Sequence, residues 1–561
     1  MKDMNQRLFI TIALWLGVAL VWYQFMPKQA QRSAASAPAV TAPSPAPVPA
    51  PASPSSAGAA AAKAADVPRE TSPRRPTEKV TLESERLHIV LTSDGAGLEQ
   101  AVLKGDKFTL HKEGNKEQSQ VNLVEARAGE PLPLSTVFRG AAGTELVPAN
   151  ASYELLRHDG RSASFKAEAG GVTVVKTFTL DPAAYRLDLA VEVVSAVAMV
   201  GSFAVISAGH GEAPSGGFFS SRSNLPARTI CMSGSKTERV AVGAKKPSWD
   251  GPGVAAFAGI DQQYFLSAVV PPSDVQTSCH LDAEPQGSML AILTAPLSLA
   301  PGTPSKLAFI TYQGPKDQDD LGAVATPLKD AVDLGFWSII ANPLLGVMKF
   351  FYKVVPPHNW GIAIILLTVA MKLITLPLQH KSMKSMQEMQ RIQPQLEEMK
   401  KKFAGDTQRQ NLEQMKLFKE HGVNPMGSCL PMLIQMPIWF ALYTALGVSV
   451  ELYNSVFIPG WINDLTARDP YYILPVAMGV TMVLTQLLTP TPTSNPSQKT
   501  MGFAMSGFFA LLMFSYPAGL TLYIFTSNIL SIVQQMYLRR TLKLTPARAS
   551  GQTVAVNPKR V

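Results

Sequence analysis

The sequence predicts a multi-domain membrane protein: an N-terminal signal anchor, a large external antiparallel β-sandwich, and a C-terminal five-helix transmembrane bundle with a cytoplasmic helical hairpin. Three observations carry that expectation. At 561 residues the chain is too long for one core. Hydrophobic residues make up 46% and charged residues 16%, and the long apolar runs lie near the N-terminus and beyond residue 330. Between them apolar and polar residues alternate with a period of two, the signature of half-buried strands.

Residues 1–29 are expected to form the anchor. Lys2 and Arg7 precede "LFITIALWLGVALVWYQFM", an apolar run of roughly 16–18 residues closed by Trp22 and Tyr23. Small residues downstream ("SAASAPA") would suit a cleaved signal peptide, but the run is long for one, which favours retention. Residues 30–76 are rich in Ala, Pro and Ser, hold too few large apolar residues for a core, and read as a disordered linker.

Residues 77–325 are expected to be the sandwich. "VTLESERLHIVLTSDGAGLEQAVL" alternates, and "ASYELLRHDGRSASFKAEAGGVTVVKTFTL" breaks at "HDG" and "AGG" like strands joined by turns. No run there is long enough to span a bilayer. Residues 326–358, with Trp337, Lys349 and Lys353 among apolar residues, read as an amphipathic helix in the membrane interface. Five spans are then expected within 359–540, near 360–379, 427–448, 471–489, 500–515 and 518–538. Pro517 and Gly519 separate the last two.

Charge orients the spans. Segment 381–421 carries nine Lys/Arg against six Asp/Glu, and the basic tail 541–561 follows Arg539 and Arg540. Loop 449–470 has one basic residue, Arg468. The positive-inside rule therefore places 381–421 and both termini in the cytoplasm, and the sandwich and 449–470 outside. The net charge of +9 thus belongs to the membrane's inner face, not to a nucleic-acid substrate. The three cysteines, Cys231, Cys279 and Cys429, form no metal cluster, and Cys231 and Cys279 could pair if their region is exported.

Lys372 stands inside the apolar run "LLTVAMKLITLPLQH". A charge near mid-membrane costs roughly 2.5–3.5 kcal/mol on insertion scales, so it faces a protein interior or water. Snorkelling is one reading, because Leu378 lies about 9 Å along the helix. The other is a groove. Thr368, Lys372, Thr375 and Gln379 share an arc of about 60°, Gln435 interrupts another span, and Tyr523, Ser527 and Gln534 align on the last. Such polar atoms need partners, which a wet cavity would supply. With no acidic residue in these runs, Lys372 would attract an anionic visitor. In 381–421 two charged helices are expected to break near "FAGD". Met383, Met386 and Met389 form either an adaptable binding surface or the seam between those helices.

The runs "NPMGSCLPMLIQMPIWFALYTAL", "WINDLTARDPYYILPVAMGVTMVLTQ" and "YPAGLTLYIFTSNILSIVQQ" closely resemble the YidC family of bacterial membrane insertases, whose relatives are the mitochondrial oxidase-assembly and chloroplast Albino proteins. "WDGPGVAAFAGIDQQYFLSAVV" resembles part of the periplasmic domain of the Gram-negative form. The resemblance implies a periplasmic β-supersandwich, and a five-helix core around a hydrophilic groove open to cytoplasm and lipid. It places Lys372 where the family usually carries arginine, with Thr368, Gln435 and Tyr523 on groove positions. Lysine lacks the guanidinium fork, so this departure changes the chemistry. The implied partners are nascent membrane proteins, the Sec translocon, the ribosome and the signal-recognition-particle receptor, in the inner membrane, with no cofactor and no metal.

Other classes fare worse. An intramembrane protease would need a serine placed near Lys372, but Ser382 and Ser385 lie beyond the span, and paired intramembrane aspartates and HExxH are absent from the sequence. GxxxxGK[ST] is absent too, which disfavours an ATP-driven machine. A small-molecule transporter or channel remains the alternative, though no internal repeat supports it. The sandwich could bind sugar or peptide or dock the translocon, and the tail could touch ribosomal RNA.

Overall fold

A computed structural model describes residues 77–111, 118–125, 127, 129–213, 225–422, 430–488 and 496–541. The expected anchor, the linker and the tail beyond residue 541 lie outside the described residues, as does Cys429.

Twenty strands, from Lys79–Glu83 to Ser305–Pro315, form four sheets of nine, six, three and two strands among the described residues. Every strand pairing is antiparallel. The sequence alternation is the cause. Along Val172–Leu180 and Ser288–Leu299 every second residue is buried, so each strand turns one face to the core. Cys231 on the nine-stranded sheet and Cys279 on the six-stranded sheet form a disulfide that ties the two layers.

One inward position breaks the pattern. Lys176 takes a core place between Val174 and Phe178 and is fully buried. Its ammonium donates to the carbonyls of Gly95, Ala96 and Leu134 at 3.0, 2.7 and 2.6 Å, satisfying all three donors. Ala96 and Leu134 both have left-handed backbone, at φ 40° and 63°, so the lysine braces two turns that lack glycine's freedom.

The rest is helical. Helix α1 (Gln318–Val324) is capped by Asp317, whose carboxylate accepts from the amides of Asp319 and Asp320. Helix α2 spans Ser338–Val354. This is shorter than the helix expected over 326–358, because Thr326–Ala331 is a 3-10 segment and Gly335, at φ 62°, turns the chain before α2 begins. Ala341, Leu344 and Met348 bury one side of α2, while Ile339, Val347, Phe350 and Val354 are exposed on the other. Lys349 is not among the outward residues: it reaches Glu451 at 2.7 Å and Asp317 at 3.4 Å.

Helix α3 (Trp360–Arg391) runs unbroken past Pro377. The segment expected to start a separate hairpin at 381 is therefore a continuation of it through Arg391, eleven residues, since neither Gly nor Pro interrupts 378–391. Helices α4 (Gln393–Lys402) and α5 (Thr407–Glu420) follow, joined through Phe403–Asp406. Then come α6 (Leu430–Val448), α7 (Ile473–Leu488), α8 (Pro496–Met513) and α9 (Ala518–Thr541). Among the described residues, Trp360–Met386 is the one helical stretch long and apolar enough to cross a membrane, and Ile473–Leu488 and Thr500–Met513 are shorter apolar helices. Residues of α2, α3, α6 and α9 share a second core around Leu344, Leu367, Leu442 and Leu522.

Candidate functional site

Helix α3 is inside out relative to a helix of a soluble protein. Leu373 and Ile374 are 64% and 70% exposed, with Leu376 and Pro377 exposed beside them, while Thr368 is buried and Lys372 half-buried. The same holds for Val476, Val480 and Leu487 on α7, Leu511 on α8 and Val533 on α9, all exposed. An apolar belt of this extent suits a hydrocarbon surrounding, with polarity turned inward.

The inward face holds one narrow recess of about 10 Å³, room for about one water. Thr368, Met371, Lys372 and Thr375 of α3 line it with Gln435 and Ile438 of α6 and Tyr523 and Ser527 of α9. Six of the seven residues expected to form a groove are thus brought together. The seventh, Gln379, lies one turn further and donates to Thr375 Oγ1 at 3.2 Å.

Two contacts cross between helices. Lys372 Nζ donates to Ser531 Oγ at 2.7 Å, and that hydroxyl donates to the Ser527 carbonyl at 2.8 Å. Gln435 Nε2 donates to the Tyr523 hydroxyl at 3.0 Å, joining α6 to α9. Among the described residues Lys372 pairs with no carboxylate, and one of its three N–H donors is used.

These bonds are protein partners for part of the polar stripe that was expected to face a wet cavity. Thr368 Oγ1 donates to the Ile364 carbonyl at 2.7 Å and Thr375 Oγ1 to the Met371 carbonyl at 3.0 Å. A threonine in a helix can bond the carbonyl four residues back, so its hydroxyl carries no obligatory need for water. Ser531 was missed, although it extends the Tyr523–Ser527 series by one more turn. That spacing was the available signal.

The methionine stripe also resolves. Met389 is buried with Ile392, which links α3 to α4, and with Leu396 of α4, against Leu417 and Phe418 of α5. It is a seam between helices, because a flexible thioether fills the irregular gap where α3 gives way to α4. Met383 is buried as well, and Met386 is half-buried. The outward apolar residues of this region are instead Leu412 and Met415 on α5.

Comparisons with known proteins agree over nearly the whole chain. The family described as 60Kd inner membrane protein matches residues 350–545, and the one described as YidC periplasmic domain matches residues 79–347. A membrane protein insertase YidC of Anaeromyxobacter sp. is 42% identical over 488 residues, covering 85% of this chain and 87% of its own length. Its namesake from Anaeromyxobacter dehalogenans is 40% identical over 560 residues, covering 98% and 99%. An active YidC insertase crystal structure with its first transmembrane domain resolved aligns at 18% identity and a TM-score of 0.35, over 82% of this chain and 92% of that one.

Proposed function

The chain belongs to the YidC family of membrane protein insertases, and from that premise we propose how its helices insert a substrate. It is an inner-membrane protein with a periplasmic-type domain, and its activity is to insert membrane proteins, not to transform a substrate covalently. The five helices α3 and α6–α9 form the membrane core within 359–540. Both termini and the α4–α5 pair face the cytoplasm, an anchor precedes the linker, and the sandwich of 77–325 lies in the periplasm. Helix α2 lies in the outer interface with Ile339 and Phe350 towards lipid.

The recess between α3, α6 and α9 is the groove in its resting state. A translocated segment enters it from the cytoplasmic side and replaces the Gln435–Tyr523 bond, which latches α6 to α9. The observation that carries this reading is the contact made by Lys372: its terminal nitrogen is held by one serine hydroxyl, and as an ammonium it would keep two donors for an incoming carboxylate. Acidic tails therefore gain most. The substrate's apolar span then slides into lipid along the flanks of α6 and α8, released by roughly 25 cal/mol per Å² of apolar area. No nucleotide or cofactor is required. Partners on this reading are nascent membrane proteins, with the Sec translocon, the ribosome and the signal-recognition-particle receptor as delivery routes, and help with folding is part of the same activity.

A photo-cross-linking side chain at Ile438, which lines the recess, tests the route. A ribosome-stalled single-span nascent chain should cross-link there, and to a much lesser degree at Val480 on the outer face of α7. Equal cross-linking at both positions would remove the groove from the mechanism.

A further inference from the structure

Segment 449–470, between α6 and α7, belongs to two cores at once. Val450 is buried in the core of the β-sandwich, while Leu452 is buried in the helical one. The Tyr453 ring lies 5.2 Å from Tyr264 and 5.3 Å from Phe265, edge-on to the latter, and stacks at 6.5 Å on Phe108. Asn454, with left-handed backbone at φ 47°, donates to the carbonyls of Lys107 and Thr109 at 3.0 and 2.8 Å. Gln263 of the sandwich donates to the Gly447 carbonyl at 2.9 Å, satisfying an end group of α6. From the other side Lys349 of α2 binds Glu451.

The remainder of the segment fastens the outer ends of the groove helices. Asn359 donates to the carbonyls of Val456 and Phe457 while its own Oδ1 caps α3 at Gly361 and Ile362. The amides of Ala518 and Gly519, at the start of α9, donate to the carbonyls of Ala467 and Leu465 at 2.7 and 2.8 Å. Asp469 accepts from the amide of Leu474 in α7. The helices carrying Lys372 and Ser531 therefore begin on one segment, and that segment is bonded to the sandwich.

From this we infer that the β-sandwich is a clamp that keeps the outer end of the helical core shut while its inner end admits substrate. The inference rests on the groove reading above. Separation of α3 from α9 by an entering chain is confined to the inner end, because their outer ends are bonded to one segment that Tyr453 and Asn454 hold against the sandwich. Loss of the clamp then shows as a leak to the outside, while insertion itself is largely kept.

The test uses the full chain in proteoliposomes, with Cys429→Ser and a reporter Ile438→Cys, labelled by a membrane-impermeant maleimide from either face. With the clamp intact, the reporter reacts from the cytoplasmic face only. Tyr453→Ala with Asn454→Ala should raise labelling from the outer face about ten-fold, and hydrogen exchange of amides 455–467 by a similar factor. Outer labelling within about two-fold of the parent, with exchange unchanged, overturns the clamp. If the parent reporter reacts from neither face, the groove reading has failed, and the exchange result alone decides the clamp. Should the double variant not fold, Glu451→Gln, which weakens the Lys349 ion pair and the attraction between Glu451 and Lys107 of the sandwich, is read the same way: a rise of about three-fold supports the clamp and no rise overturns it.

Discussion

Lys372, Lys176 and Asp261 are ionisable groups held away from bulk water, and each is handled by different chemistry. Lys176 is saturated by three carbonyls and is a brace. Asp261 is buried among Lys316, Arg228 and Arg239, at 2.8, 2.8 and 3.0 Å. Burial alone would raise its carboxyl, but the three cations outweigh burial and bring it from its ordinary 3.8 down to about 2. A depressed acid stabilises the fold above its unfolded value and loses that contribution as pH falls through its folded one. Acid titration followed by near-ultraviolet circular dichroism should therefore show loss of about 2 kcal/mol between roughly pH 4 and pH 2. Asp261→Asn should remove this pH dependence and cost about 3–5 kcal/mol at neutral pH by stranding the cations; a neutral cost below 1 kcal/mol would contradict the assignment. Lys372, by contrast, has donors to spare. Tyr523→Phe probes its neighbour Gln435: losing the one interhelical partner should cost about 1–3 kcal/mol in thermal stability. The same change loosens the proposed latch, so insertion should hold or rise, and a fall in insertion with unchanged stability would count against it.

At the scale of elements, the charge of α4 and α5 and the turn between them were legible because glycine and aspartate at Gly405 and Asp406 break a helix in any context. The continuity of α3 into 381–391 was not, since polar composition changes there without any change in helical propensity. The methionine stripe was legible as a stripe but not as a seam, because periodicity says which residues share a face and not what covers it. Met389→Ala should destabilise the α4–α5 pair by about 2 kcal/mol or more, read as faster hydrogen exchange in 393–420. Leu412→Ser and Met415→Ser, on the exposed side, should change it by less than about 0.5 kcal/mol. Equal effects would mean that Met389 is not a seam residue.

At the scale of the whole molecule, alternation along each strand made the antiparallel sandwich legible over 77–325, and hydropathy separated it from the helices. Contacts distant in sequence left no local trace. Asn454 reaches Lys107 across 347 residues, whereas the pairing of Cys231 with Cys279, 48 apart, was open from the sequence for an exported region and is formed. Within the candidate groove, Thr368, Lys372, Thr375, Gln435, Tyr523 and Ser527 could be chosen from helical spacing and family resemblance together. Ser531, which holds the lysine, needed the structure to show which hydroxyl of α9 meets α3. The disulfide gives a prediction of its own: closing a loop of this length limits the unfolded chain, and Cys231→Ser with Cys279→Ser should cost up to about 4 kcal/mol in the sandwich's urea unfolding. An unchanged midpoint would show that the two sheets do not depend on it. The central claim is that Lys372 acts as a counter-charge within an insertase groove, and protease protection in liposomes tests it most directly. Lys372→Ala is compared with the parent on two single-span substrates, one with an acidic translocated tail and one with a neutral tail. The account predicts that the variant loses about ten-fold on the acidic substrate and little on the neutral one; equal insertion of both by variant and parent would contradict it.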